Sequence, residues 1–276
     1  MKTFEEIKEF MKSKKFIIED DKLRAIISNI QLGLTTLVVG PTGSGKTLFF
    51  QLLAECLNAK YHYQSLNGSM TIQDLTQERV LGKKGTFEEK DMVLAKWIRD
   101  SQKGLSFLQL DEINAAKPET LLAMHPIMDL KKELELIYSD ETLKVTNNAI
   151  LVMTCNEGDE YTGTNIMNWA FMNRPGVKVY FDYLKGDELS KHLMDKCNIP
   201  IKWANQIVTV WDKYMTSKNP EQPVVSIRVL EYWGMLAKQL NSLRKAGMWT
   251  FASLISQSED EVVEVVNGDF FVHIVD

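Results

Sequence analysis

The chain has 276 residues, 45% of them hydrophobic and 25% charged, with a formal net charge of -5. That content can bury one large core and a smaller one, so one or two globular domains are expected. The acidic balance argues against wholesale nonspecific binding of nucleic acid, although it leaves room for a local basic groove. Three cysteines, Cys56, Cys155 and Cys197, lack metal-ligand spacing and point to a reducing cytoplasm.

In chain order, the charged and amphipathic stretch Met1 to Asp20 does not read as an export signal, and no later apolar run approaches the length of a membrane span. The first apolar strand is Thr35 to Val39. It runs directly into Gly40-Pro41-Thr42-Gly43-Ser44-Gly45-Lys46-Thr47, which fills every slot of the phosphate-binding P-loop pattern. A helix follows from about Lys46, with Leu48, Leu52, Leu53, Cys56 and Leu57 at helical spacing. In such a loop the glycines let backbone N–H groups wrap phosphates, the helix N-terminus adds positive potential, Lys46 reaches the β and γ phosphates, and Thr47 ligates Mg²⁺. Gly40 to Thr47, together with Leu48, are the candidate nucleotide-binding residues.

Further strands are expected at Tyr61 to Ser65, Ser106 to Leu110, Ala149 to Thr154 and Val177 to Phe181. Near-continuous apolar runs alternating with helical patterns indicate a five-stranded parallel sheet covered on both faces, with ligands at the carboxyl ends of the strands. Between the second and third strands, Thr71 to Leu75 and Val80 to Phe87 form an insertion with Gly82-Lys83-Lys84-Gly85 as its tip. Ser106 to Leu110 leads into Asp111-Glu112, the arrangement in which Asp111 holds Mg²⁺ and Glu112 polarises the attacking water. Glu133 to Ile137, Ser139-Asp140 and Thr142 to Val145 read as a hairpin. The strand Ile150 to Thr154 ends at Cys155-Asn156, where Asn156 is placed to orient water or touch the γ-phosphate.

Beyond Asp182 the pattern becomes helical, with Glu188 to Cys197, Trp203 to Thr216 and Ile227 to Arg244 separated by Pro200 and by Lys218-Asn219-Pro220. The tail, Val262 to Val266, Asn267-Gly268 and Phe270 to Val275, carries a two-residue β-hairpin signal. His62, His125, His192 and His273 lack ligand spacing, so no metal is assigned to them. Lys83, Lys84, Lys131 and Lys132 read as solvated lysines. The six tryptophans and many methionines read as core filling, with Trp203 and Trp211 on one apolar helix face.

The set GPTGSGKT, LDEIN (Leu110 to Asn114), MTCNEGDEYTG (Met153 to Gly163), MNRPG (Met172 to Gly176) and SIR (Ser226 to Arg228) resembles the AAA+ ATPases, and within them the MoxR, CbbQ and NirQ branch, over about Leu23 to Leu240. The resemblance implies an α/β, three-layer αβα P-loop domain over residues 1–183 and a small helical lid domain, closed by the hairpin, over 184–276. It makes Asn156 sensor 1, Arg228 sensor 2 on the lid, and Arg174 an arginine finger reaching a neighbouring subunit, although Pro175 stands where the family usually has an aromatic. It likens the two inserted segments to the helix 2 insert and the pre-sensor-1 hairpin. It also implies a cytoplasmic homo-oligomer, a hexameric ring, that remodels a client or adaptor, in that branch often a protein with a von Willebrand factor A domain.

Three other functions share these motifs. A McrB-like nucleic-acid motor has a similar DEIN element, and its DNA affinity would fall steeply with salt. A small-molecule kinase also uses a P-loop, but Glu112, poised to activate water, would waste the phosphoryl group. A nucleotide-gated scaffold would bind ATP and barely turn it over.

Overall fold

The computed structural model describes residues 2–82, 86–129, 131–156, 169–219, 221–268 and 270–275. Lys83, Lys84 and Gly85 of the expected insertion tip, the part of the expected sensor motif beyond Asn156, and Pro220 lie outside those residues. Two compact units emerge, one from the described residues up to Phe181 and one from Asp182 onward that also takes in Pro41–Ser44.

The first unit opens with α1 (Phe4–Ser13), whose start is fixed by reciprocal bonds between Thr3 and Glu6. Ile7 and Met11, one turn apart, are buried. Next come α2 (Asp20–Gln31), β1 (Thr36–Val39), α3 (Lys46–Cys56) and β2 (Lys60–Ser65). A short α4 (Ile72–Thr76) then leads to β3 (Gln77–Leu81) and β4 (Phe87–Asp91), an antiparallel hairpin. After α5 (Val93–Ser101), β5 (Ser106–Asp111), α6 (Pro118–Ala123) and α7 (His125–Met128), a second hairpin is made by β6 (Glu133–Leu136) and β7 (Glu141–Lys144). The unit closes with β8 (Ala149–Cys155), α8 (Trp169–Met172) and β9 (Val177–Tyr180). Among the described residues, the segment between β2 and α5 forms a short helix plus a hairpin, and the segment before β8 forms a hairpin.

Five strands form one sheet in the order β2-β5-β8-β1-β9, and every pairing in it is parallel. Side chains alternate across it. Leu37, Leu108, Leu110, Leu151 and Met153 enter a core with α5 and α6, whereas Val38, Phe107, Ile150, Val152 and Val179 enter a core with α1, α2 and α3. The result is the expected three-layer αβα arrangement. Because the strands are parallel, the residues that follow Val39, Ser65, Asp111 and Cys155 leave the sheet at the same edge.

The second unit is helical: α9 (Gly186–Cys197), α10 (Ile201–Ser217), α11 (Ile227–Leu240), α12 (Leu243–Gly247), a wide π-helical turn (Met248–Ala252), α13 (Ser253–Ile255) and α14 (Glu259–Asn267). Its core joins Leu189, Ile207, Trp211, Tyr214, Trp233 and Phe271. The helix expected over Ile227 to Arg244 stops at Leu240, since Asn241 turns left-handed with φ 48° and Ser242 caps a new helix.

The expected C-terminal β-hairpin is not formed: Val262 to Val266 lie in α14, and Phe270–His273 are turns. Ser258 accepts from Glu261 N at 3.3 Å, and three acidic residues fill the first turn, so local capping and the helix dipole favour a helix. Asn267-Gly268 ends that helix instead of turning between strands. The expectation of core tryptophans also fails at Trp249, which is 66% exposed because the π-helical turn commits Phe251 and Ala252 to the core.

Candidate nucleotide site

The loop after β1 is built for close backbone approach. Gly40 N donates to Cys155 O at 3.2 Å, and a Cβ on Gly40 would stand 2.3 Å from Phe181 O, so only glycine fits. Gly43 and Gly45 have φ of 80° and 86°, which side chains rarely adopt, and the turn delivers the chain into α3 at Lys46. Within the second unit, Tyr183 Oη donates to Thr42 O at 2.8 Å, and Gly43 packs against Ser226 at the start of α11. Ser44 N donates to Pro41 O at 3.3 Å, whereas Ser44 Oγ is buried with no partner among the described residues. Leu48, on the first turn of α3, is exposed.

Five polar side chains of the first unit converge at the carboxyl edge of the sheet: Lys46, Thr47, Asp111, Glu112 and Asn156. Lys46, only 6% exposed, donates from Nζ to Gly40 O at 2.8 Å and to Asn156 Oδ1 at 3.0 Å. Burial pushes its ammonium below the ordinary lysine value, and the carboxylates of Asp111 and Glu112 oppose that shift. Thr47 Oγ1 donates to Asp111 Oδ2 at 3.0 Å. Asn156 Nδ2 lies 3.5 Å from Glu112 Oε1, so one amide bridges the lysine and the glutamate. Glu112 adopts a left-handed φ of 56°, a backbone conformation uncommon outside glycine.

Two residues in this cluster, Ser65 and Tyr63, carry no motif signal, and two more, Thr154 and Asn114, lie inside the quoted motifs with no role read for them. Ser65 Oγ donates to Glu112 Oε2 at 3.2 Å, and Tyr63 Oη to Asp111 Oδ2 at 2.9 Å. Burial and the Asp111 carboxylate push the Tyr63 phenol up to about 12. Thr154 donates to Asp111 Oδ1, and Asn114 Nδ2 to Asn156 O at 3.2 Å. The period-2 alternation of Tyr61, Tyr63 and Ser65 on one face of β2 was the available signal, because parallel pairing aligns that face with Gln109 and Asp111 of β5.

Arg174 is not in the cluster. It precedes Gly176, whose N–H bonds Thr35 O before β1 begins, so Arg174 stands at the amino edge of the sheet. There its guanidinium donates to Asp129 Oδ1 at 2.9 Å, Asp129 Oδ2 at 3.3 Å and Ala170 O at 2.5 Å. Arg228, at the start of α11, is exposed and has no hydrogen-bond or ion-pair partner among the described residues.

The residues fit a magnesium nucleotide. Within the first unit, the buried Lys46 ammonium suits phosphate oxygens. Thr47 and Asp111 offer hard oxygen donors side by side, the sparse protein set that Mg²⁺ uses when phosphates and water complete its shell. Among the described residues no cluster of three or more His, Cys, Asp or Glu suggests another metal. No helix among them is long and apolar enough to cross a membrane.

A parallel αβα sheet with this loop after its first strand defines a P-loop ATPase-like fold, accompanied by a helical C-terminal part. The family profile described as AAA domain (dynein-related subfamily) matches residues 35–174, about half the chain, and the chain belongs to that family. It is 29% identical over 165 residues to an uncharacterized protein of Staphylococcus aureus (strain bovine RF122 / ET3-1), covering 60% of this chain. It is 28% identical over the same length to another from strain USA300. The matched region spans 62% of the length of these relatives. The fold is also similar to the crystal structure of a "putative ATPase" from Cytophaga hutchinsonii ATCC 33406, with a TM-score of 0.54 and 18% identity over 95% of this chain and 85% of that one.

Proposed function

We propose that the protein is an AAA+ ATPase of the MoxR and CbbQ kind that hydrolyses Mg-ATP in an oligomeric ring to remodel or activate a partner protein. The observation that carries this reading is the convergence of Lys46, Thr47, Asp111, Glu112 and Asn156 at one edge of the sheet. In the proposal the residues up to about 183 form the nucleotide-binding domain and the rest a helical lid bearing Arg228.

The P-loop backbone and Lys46 bind the phosphates, and Thr47 with Asp111 holds the metal. Mg²⁺, when bound, neutralises charge on the β and γ phosphates. Glu112 accepts a proton from the attacking water, which Asn156 orients from its position between Lys46 and Glu112. Ser65, on the same glutamate, holds the carboxylate in place. Arg174 cannot serve the site of its own chain from the opposite sheet edge, which supports its assignment to a neighbour's γ-phosphate, where a guanidinium stabilises developing charge. A von Willebrand factor A protein remains the partner class that the branch resemblance suggests.

The test is ATP turnover per subunit against protein concentration at saturating Mg-ATP. The proposal expects a specific rate that climbs and then saturates as subunits complete each other's sites. Negligible turnover at every concentration would overturn the ATPase reading in favour of a nucleotide-gated scaffold. A rate that stays constant while the protein remains monomeric would overturn the ring.

A further inference from the structure

The Asp111 carboxylate accepts four hydrogen bonds. Glu112 N, at 3.2 Å, and the Thr154 hydroxyl reach Oδ1, whereas the Thr47 hydroxyl, at 3.0 Å, and the Tyr63 phenol, at 2.9 Å, reach Oδ2. A carboxylate has about four lone-pair positions, so these donors fill it. A magnesium ion dehydrates reluctantly and keeps several waters, and a carboxylate that holds it through water must accept from one of them. One of the four donors must then yield.

Three of them are fixed. Thr154 is fully buried, Glu112 donates from the main chain, and Thr47 sits on the first turn of α3. Tyr63 differs in kind. It is 46% exposed, it comes from β2 and not from the loop, and its ring can rotate toward solvent without breaking a backbone bond. Its neighbours on the same strand face stay engaged elsewhere, Tyr61 with Gln109 at 2.7 Å and Ser65 with Glu112 at 3.2 Å.

We propose that Tyr63 is a displaceable positioning residue that holds Asp111 Oδ2 until a divalent cation takes over that acceptor, so that cation binding and release of the phenol are one event. The proposal rests on the Mg-ATP reading of the site. It makes Tyr63 a competitor of the metal for Asp111, not an aid to it. Losing the hydroxyl therefore tightens cation binding and leaves metal-free nucleotide affinity unchanged.

The experiment titrates Mn²⁺ into the ADP complexes of the wild-type protein and of Tyr63→Phe, followed by electron paramagnetic resonance. Phenylalanine keeps the ring and hence the packing of β2. A phenol bond to a carboxylate at a half-exposed site corresponds to roughly three- to ten-fold tighter Mn²⁺ in the variant. In a ¹³C-tyrosine-labelled sample, the resonance missing from Tyr63→Phe should move when Mg²⁺ is added to the wild-type ADP complex, and hold still when ADP alone is added. Equal or weaker Mn²⁺ binding in the variant, or a Tyr63 resonance indifferent to metal, overturns the proposal while nucleotide binding stays metal-dependent. Wild-type protein that binds no nucleotide, or binds it without regard to divalent cation, removes the Mg-ATP reading and this proposal together.

Discussion

Arg174 and Lys46 stand at opposite edges of one sheet, and from this follows a specific outcome for mixtures of two inactive variants. Arg174 precedes the start of β9, whereas Asn156 and the P-loop follow the ends of β8 and β1. The seven residues of β8 at ~3.3 Å each separate the edges by about 20 Å, more than an arginine side chain can span. Lys46→Ala should abolish turnover in its own site while leaving a competent arginine for its neighbour. Arg174→Ala should keep its own phosphate cradle and lose at least about 10³-fold through the neighbour it no longer serves. In a random equimolar mixture, a site is whole only where an Arg174→Ala subunit faces a Lys46→Ala subunit across the interface. That is about one half times one half, so about a quarter of wild-type turnover returns for head-to-tail contacts. The fold should survive, because the Arg174–Asp129 pair is partly exposed, at 24% and 46%, and such pairs contribute at most about 1 kcal/mol. The assay is phosphate release from each variant alone and from the mixture, with melting temperatures measured in parallel. A mixture no faster than the mean of its components would refute the trans assignment, and so would Arg174→Ala within a few-fold of wild type.

Glu112→Gln should keep ATP binding, lose hydrolysis and stabilise the oligomer; near wild-type phosphate release would remove Glu112 from its role. Gly40→Ala must push its Cβ against Phe181 O, 2.3 Å away on the main chain, and should cost more than about 2 kcal/mol, seen as a lower urea midpoint with weakened nucleotide binding. Trp233→Ala removes a fully buried ring that stacks on Phe271 and donates to Leu243 O at 2.8 Å, so a loss of about 3–5 kcal/mol is expected; a midpoint shift equivalent to under ~1 kcal/mol would contradict the packing. Burial, and then the Arg174 charge, hold the His125 imidazole below its ordinary value. The unfolded chain therefore binds this proton more readily, and the stability it contributes, full above about pH 6.5, is lost as pH falls toward the lower folded value. Melting temperature should decline between about pH 7 and 5, less steeply in His125→Gln, and identical slopes would exclude His125 as a contributor.

What the sequence made legible was local and periodic. The P-loop is a contiguous string whose glycines and lysine each have a backbone reason, and the central strands β1, β5 and β8 are buried nearly throughout, which needs no knowledge of partners. The second half of the chain shows where that logic fails. Asn267-Gly268 between two valine-rich stretches is a strong hairpin signal by local chemistry, yet Val262, Val265 and Val266 also lie at helical spacing, and Ser258 with Glu261 supplies a cap. Two local codes competed, and the cap with its acidic first turn decided the outcome in favour of the helix.

The hydroxyls around Asp111 were hidden for a different reason. Tyr63, Ser65 and Thr154 reach the carboxylates only because β2, β5 and β8 pair in parallel with Ser65 opposite Asp111, and register is a property of the whole sheet, invisible in any one segment. A slip of one residue in β2 would turn Tyr63 and Ser65 to the opposite face and leave Lys60, His62 and Gln64 beside Asp111. The motif residues would all remain in place, and the second layer that holds their carboxylates would be gone. The chemistry of this site therefore depends on strand order and register as well as on its motifs. Substitutions that loosen β2 against β5, such as Tyr61→Ala with its lost 2.7 Å bond to Gln109, should depress turnover without touching a motif residue. Tyr61→Phe, which keeps the ring and drops only that bond, should fall between Tyr61→Ala and wild type in phosphate release. Turnover in Tyr61→Ala equal to wild type would show that the motifs hold their geometry without the register of β2.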